Sequence, residues 1–203
     1  YIIHDQDAFN SKFSDILQQV ASDLQVVRLS VPVGTNDFRT YITKIKLENP
    51  DAIFAAFQDT GSIGPLMKQL KEQGVKAKVY SSTSAQNEEN LAKFPGSFNG
   101  LYYSFPAYAN DQAYIELQGS LKAKYGADAV EGPAFVNAYN AAIMLFAVLA
   151  DGARSGEEIK NALQEKHMVG IGARDLYFNN KGQIGEIAFS IKTIEDNTFV
   201  EVK

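Results

Sequence analysis

The sequence has 203 residues, 45% of them hydrophobic, no cysteine and a formal net charge of −5. This length suits one large or two small domains, and the apolar content argues against disorder. The acidic balance disfavours a nucleic-acid partner, and the lack of cysteine excludes disulfides, thiolate metal sites and a cysteine nucleophile.

Strands and helices alternate over the first half of the chain. Apolar residues 1–4 predict a short buried strand, and Asp7 and Asp37 are candidate N-caps of the helices that follow them. Further strands are predicted over residues 24–31, 52–57, 75–80 and 100–103, with helices starting near residues 38 and 63 and a loop or short helix at 81–90. This order predicts βαβ units and a parallel sheet.

After Pro106 the pattern changes to helices. Three are predicted, over residues 111–125, 133–150 and 155–166, and Ser155 with Glu158 has the spacing of a capping box. Ile187, Phe189 and Ile191 then alternate with small or polar residues, and a turn at 196–197 leads to a last strand over 198–202. These segments predict an antiparallel hairpin at the end of the chain.

No signal peptide is visible in the sequence, which does not begin with Met. Tyr1 reads as the middle of a strand, so we expect that it is not the natural start and that any targeting segment lies upstream. The longest apolar run, residues 141–150, is about half of the ~20 residues needed to cross a bilayer. The sequence therefore predicts no membrane-spanning helix.

Few residues suggest chemistry. His4, near Asp5 and Asp7, could bind a metal or act as a general base, but no ligand spacing accompanies it and a structural role is favoured. His167 is expected to oppose a helix C-terminal dipole. The glycines at 170 and 172 precede a strand-like segment, so a turn is favoured over a dinucleotide-binding loop. No catalytic residue, metal or cofactor is predicted.

One set of side chains follows the carboxyl ends of the predicted parallel strands, which is where open α/β sheets bind ligands. It comprises Phe9, Asp59, Thr83 and either Phe105 or Tyr108. For Asp59, capping of the next helix and ligand binding are equally open. Aromatic rings, a hydroxyl and a carboxylate can hold a small molecule, but they include no activated nucleophile and no acid–base pair.

Several ordered motifs together resemble the periplasmic binding proteins of the leucine/isoleucine/valine-binding type. The resemblance covers essentially the whole chain, and its motifs lie at residues 4–9, 36–53, 64–74, 139–142 and 170–182. It implies an α/β fold: a parallel-sheet three-layer sandwich resembling a type I periplasmic-binding-protein lobe, with additional helices and a C-terminal antiparallel hairpin. Residues 1–106 with 184–203 would form the second ligand-binding lobe, and 107–183 would belong to an incomplete first lobe.

The resemblance also implies roles for particular residues. Phe9 would be the aromatic wall of the pocket, with Asp59 or Thr60 after the third strand and Thr83 after the fourth. Thr83 stands where some members have a glutamate that holds the ligand ammonium, and we expect Asp59 to supply that charge. Asn10 and Asn140 stand where members often have Gly and Asp.

The function implied is that of a substrate-binding component of an ABC importer, holding an amino acid or similar solute by lobe closure without chemistry. Its partners would be that solute and a membrane permease. We expect a periplasmic or extracellular location, with lipid anchoring through another segment as an option, and homo-oligomerisation through the helices of 107–183 as a hypothesis. The alternatives are a ligand-sensing module of a receptor or regulator, and an α/β enzyme relying on His4.

Overall fold

The computed structural model describes residues 1–107, 111–126, 133–185 and 188–202. In chain order the elements are β1 (Ile2–Asp5), α1 (Ala8–Val20), β2 (Arg28–Val31), α2 (Arg39–Glu48), β3 (Ala52–Ala56), α3 (Thr60–Glu72), β4 (Lys78–Ser81), a 3-10 helix (Thr83–Ala85), α4 (Glu88–Lys93), β5 (Tyr102–Pro106), α5 (Gln112–Tyr125), α6 (Pro133–Ala150), α7 (Gly156–Glu165), β6 (Met168–Gly170), β7 (Ala173–Leu176), β8 (Phe189–Glu195) and β9 (Thr198–Glu201).

Seven strands form one sheet in the order β2-β1-β3-β4-β5-β8-β9. The first five run parallel to their neighbours, and β9 is antiparallel to β8. Gly100 and Leu101 exchange backbone hydrogen bonds with Ile194, which places β8 next to β5. The predicted α/β class, the parallel sheet and the terminal hairpin are therefore confirmed.

The chain divides into two compact units. Unit 1 comprises Tyr1–Phe105 and Ile191–Lys203, and unit 2 comprises Pro106–Ser190. The core of unit 1 consists of strand and helix residues with almost no solvent exposure, among them Ile3, Phe38, Ile42, Ile45, Ile53, Phe57, Ile63, Leu66 and Tyr103. Burying such side chains supplies about 1.5–3 kcal/mol each relative to exposure, so they dominate the stability of this unit.

Two strands are shorter than the sequence predicts. Gly74 has a φ of 69° and the N–H of Val75 donates to the carbonyl of Leu70, so the residues before Lys78 still belong to the exit from α3. Similarly, the N–H of Leu24 donates to Ala21 in a turn that closes α1, and β2 begins only at residue 28. In both places, a backbone N–H that the apolar pattern assigns to a strand instead donates to a carbonyl at the end of a helix.

The helix starts follow the predicted caps with one correction. Asp7 caps α1, and Ser155 with Glu158 forms the predicted capping box on α7. Asp37 is not the N-cap of α2, because Phe38 occupies that position. Instead, Asp37 accepts a hydrogen bond from the N–H of Arg39 and pairs with its guanidinium, and these contacts lower the pKa of Asp37 to about 2.

Unit 2 packs three helices with the β6–β7 hairpin. Asn140 on α6 exchanges two 2.9 Å hydrogen bonds with the backbone of Ile171, and the carboxylate of Asp111 accepts from the N–H of Gly172 at 2.7 Å. The glycines at 170 and 172 thus lie in a hairpin turn, as predicted. Leu145 and Phe146 on α6 are exposed, the latter at 66%. None of the helices that the structure describes is long and apolar enough to cross a membrane.

Candidate functional site

The sheet of unit 1 has a topological switch point between β1 and β3. The chain leaves β1 toward β2 on one side, whereas β3, β4 and β5 follow on the other. In an open α/β sheet, the loops leaving the carboxyl ends of strands diverge at such a point and leave a crevice for a ligand. The loops concerned contain Asp7 and Asp59 and precede α1 and α3.

Asp5, at the end of β1, connects these two loops. Its carboxylate is fully buried and accepts hydrogen bonds from the side-chain amide of Asn10 at 2.8 Å and from the N–H of Gln58 at 2.9 Å. A weaker contact at 3.4 Å comes from the N–H of Asp7. Because charged acceptors make strong hydrogen bonds, Asp5 holds the loop after β1 and the loop after β3 in one arrangement.

The sequence analysis treated Asp5 only as a residue at an element boundary. Asp5 directly follows a buried, mostly apolar run of residues, and this position is the one sign of its burial that the sequence contains. Asn10 stands where the family that the sequence resembles often has glycine, and its buried side chain, which glycine lacks, supplies a donor to Asp5.

Phe9 lies in the first turn of α1. Its side chain is 66% exposed and its ring stacks on Phe13, with ring centroids 6.1 Å apart and planes at 6°. An exposed aromatic ring held by a neighbouring ring presents a large apolar surface with little conformational freedom left to lose. This placement suits a pocket wall.

Asp59 is the N-cap of α3. One carboxylate oxygen accepts from the N–H of Gly61 at 2.8 Å, and the other accepts from the hydroxyl of Ser62 at 3.0 Å. The capping role left open by the sequence is therefore realised. A carboxylate has about four acceptor positions, so these two contacts leave capacity for an ammonium group. Thr60 is the first residue of α3.

Thr83 opens the 3-10 helix after β4 and is partly exposed. Phe105 lies in β5, and in contrast to Phe9 its side chain is only 6% exposed. The ammonium nitrogen of Lys192 lies 4.7 Å from the centre of its ring, a cation–π contact that the sequence did not suggest. Tyr108, the alternative to Phe105, lies outside the described residues.

The sheet order brings the predicted residues to one edge. Phe9, Asp59 and Thr83 follow the carboxyl ends of β1, β3 and β4, and Phe105 lies near that end of β5, so they belong to four consecutive parallel strands. Neighbouring strands are about 4.8 Å apart, so this row is ~14 Å long, which suits a small solute. Phe105 differs from the other residues of this row because its ring is almost fully buried.

The histidines have structural surroundings. His4 is 4% exposed; its Nδ1 donates to the carbonyl of Asp5 at 2.8 Å, and its Nε2 lies 3.5 Å from the guanidinium of Arg28. His167 contacts Asp175 at 2.8 Å and stacks on Tyr177. Across the described part of the chain, no three histidine, aspartate or glutamate side chains converge to hold a metal ion.

Comparison with known proteins gives a consistent picture. The model of a family described as periplasmic binding protein matches residues 1–193. An amino acid binding protein of Pseudomonas aeruginosa is 24% identical over 166 residues, which are 79% of this chain and 43% of that protein.

Solved structures share the fold over nearly the full chain. A leucine binding protein from Thermotoga maritima matches all of it at 18% identity with a TM-score of 0.78, over 59% of that protein. An extracellular ligand-binding receptor from Rhodopseudomonas palustris matches with a TM-score of 0.79 at 20% identity, over 62% of its length. A fatty acid ABC transporter substrate-binding protein from Thermomonospora curvata gives 0.79 at 19%, over 55%. The chain thus spans about half to three-fifths of these relatives.

Proposed function

The chain belongs to the periplasmic binding protein family, and from this premise we propose that it is the substrate-binding part of an ABC importer for branched-chain or other amino acids. Family membership indicates a periplasmic or extracellular location. The whole protein would hold its solute by lobe closure, without chemistry, and present it to a membrane permease. Lipid anchoring through another segment belongs to the same proposal.

The observation that carries this proposal is the row of side chains at the carboxyl edge of the sheet, which begins at the switch point between β1 and β3. An exposed aromatic ring, a hydroxyl and a carboxylate follow neighbouring strands, and the one buried histidine near them is held by backbone and arginine. These groups can bind an apolar side chain and an ammonium, and they include no activated nucleophile. They favour retention of a solute over its conversion.

The same proposal assigns residues 1–106 and 184–203 to a second lobe and residues 107–183 to part of a first lobe. The exposure of Leu145 and Phe146 on α6 supports this assignment, because helices of a complete α/β lobe bury their apolar side against a sheet. Homo-oligomerisation through the same helices is a competing explanation. Light scattering distinguishes them, since a monomer at high concentration contradicts self-association.

The ammonium role of Asp59 is tested with Asp59→Asn. Asparagine is as good an N-cap as aspartate, so α3 keeps its start while the negative charge is lost. In a thermal-shift screen of amino acids, we expect the stabilisation by a bound amino acid to fall, with at least about a tenfold rise in Kd, because a charge-assisted hydrogen bond contributes roughly 1.5–3 kcal/mol.

Asp111→Asn is the matched control, because Asp111 also caps a helix and belongs to unit 2. It should leave the amino-acid response intact. An unchanged response in Asp59→Asn would remove Asp59 from the site, and the absence of any response to amino acids in the unsubstituted chain would contradict the proposed ligand class.

A further inference from the structure

Lys192 lies next to Phe105, at one end of the row of predicted site residues. It is on β8 and partly buried, its ammonium nitrogen is 4.7 Å from the centre of the Phe105 ring, and it donates a hydrogen bond to Oε1 of Gln86 at 3.2 Å. All three residues belong to unit 1. A cation from the far end of the sequence is thus placed beside a residue of the predicted pocket.

Gln86 links this cation to the turn that carries Thr83. The hydroxyl of Tyr103 lies 3.0 Å from the same Oε1, and the N–H of Gln86 donates to the carbonyl of Thr83 at 3.1 Å. Because an ammonium group can only donate, the oxygen of the Gln86 amide must face Lys192 and its NH₂ group must face away. Gln86 therefore connects the ammonium of Lys192 to the turn that begins at Thr83.

The ammonium of Lys192 contacts a neutral amide oxygen and an aromatic ring. None of the ion pairs within the described residues includes Lys192. Burial lowers the pKa of Lys192, and its cross-strand neighbour Glu201 offsets part of this effect. A partly desolvated ammonium in such surroundings gains strongly from an anionic partner.

We propose that Lys192, Gln86 and Phe105 form a subsite for a carboxylate of the bound solute. This inference rests on the proposed function and narrows its substrate class. Lys192 is on β8, but its ammonium reaches the ring of Phe105 on β5, which is two strands along the sheet from the β3 strand that precedes Asp59. The two charges are therefore separated by roughly 10 Å of sheet edge. A solute that meets both carries its acidic group several bonds from its ammonium, as glutamate does and leucine does not.

The test compares four solutes by thermal shift and calorimetry on the 203-residue chain. Glutamate has both charges, glutamine is its neutral analogue of the same shape, glutarate lacks the ammonium, and leucine lacks the second carboxylate. We expect glutamate to bind more tightly than glutamine and leucine, and glutarate to bind measurably. Lys192→Met should remove the preference for glutamate over glutamine, about a tenfold change in their Kd ratio.

Two further variants separate charge from structure. Lys192→Gln keeps a donor for Gln86 without the charge, so it should lose the preference as Lys192→Met does even if the methionine variant is less stable. Lys78→Met removes an exposed lysine from the first position of β4, at the opposite end of that strand, and should change nothing. Lys192→Arg should retain the preference.

The possible results distinguish failure of the carboxylate subsite from failure of the proposed function. An unchanged glutamate-to-glutamine ratio in both Lys192→Met and Lys192→Gln overturns the carboxylate subsite. Binding of leucine alone overturns it while the proposed function stands. Lysine-dependent binding of glutarate without binding of any amino acid keeps the subsite and removes the amino-acid assignment. If none of the four solutes binds, both proposals fail.

Discussion

Asp5 is the residue on which the geometry of the candidate site most depends. A fully buried carboxylate is stable only when donors surround it, and Asp5 receives them from Asn10 on α1 and from Gln58 in the loop after β3, 53 residues from Asp5 in the chain. These contacts therefore also hold the start of α1, which carries Phe9, next to the loop that contains Asp59.

Replacing Asp5 by alanine should cost about 3 kcal/mol of unfolding free energy. The N–H of Gln58 and the amide of Asn10 would lose a charged acceptor inside the protein, and each unsatisfied donor costs about 1–3 kcal/mol. Urea unfolding measures the change. Asp23→Ala, at an exposed position, should stay within about 0.5 kcal/mol, and an equally small loss for Asp5→Ala would show that the buried contacts contribute little.

Some residue roles could be predicted from the sequence and others could not. Asp7 and Ser155 follow local rules, because a cap is satisfied by backbone groups two or three residues away. Lys192 and Gln86 are 106 residues apart in the chain, and only folding of the sheet brings them together. The charge of Lys192 is visible in the sequence, but its neighbours are not.

At the level of elements, α3 and α4 approach each other unusually closely at Gly64. A Cβ placed there would lie 2.3 Å from Cε2 of Phe94 and 2.8 Å from Oδ1 of Asn90. Gly64 thus has a packing role, since a glycine inside a helix otherwise lowers stability by about 1 kcal/mol relative to alanine. The sequence identified the helix but not this contact.

Two glycine-to-alanine substitutions should consequently have opposite effects. Gly64→Ala should destabilise the chain by about 1–3 kcal/mol, because the Phe94 ring must move out of a packed position. Gly119→Ala on α5 meets no atom within 4 Å and should stabilise by about 0.5–1 kcal/mol through helix propensity. Thermal unfolding of both variants provides the comparison, and a stabilising Gly64→Ala would contradict the packing role.

The order of the elements was predictable because hydrophobic periodicity is a local property, and α6 begins and ends where the pattern predicts. The starts of β2 and β4 were not, since helix exits at residues 21–24 and 70–75 compete for the same backbone groups. The boundary of each strand depends on which of two competing backbone hydrogen bonds the folded chain contains, and the residue types alone do not determine this.

On the scale of the whole molecule, stability is distributed unevenly. The inner strand β3 contributes Ile53, Ala55 and Ala56 to the core, whereas α5 has no buried residue. Local opening requires little free energy where few apolar contacts are lost. The α5 helix should therefore open far more often than the sheet.

Hydrogen exchange measures this difference directly. Backbone amides of α5 should exchange at least about a hundredfold faster than those of β3 after correction for intrinsic rates. Amides of β1, also covered on both sides by neighbouring strands, serve as an internal reference. Equal protection of α5 and β3 would mean that α5 is stabilised by contacts beyond those of its buried surface.

The position of β8 beside β5 has a consequence for biosynthesis. Residues 107–188 leave the ribosome after β5 and before β8, so the β5 edge of the growing sheet stays unpaired while they are synthesised. Pairings between distant segments form slowly, because closing the loop costs entropy before any contact forms. β8 and β9 are therefore the last strands to join the sheet, and until then the β5 edge leaves unpaired backbone groups exposed.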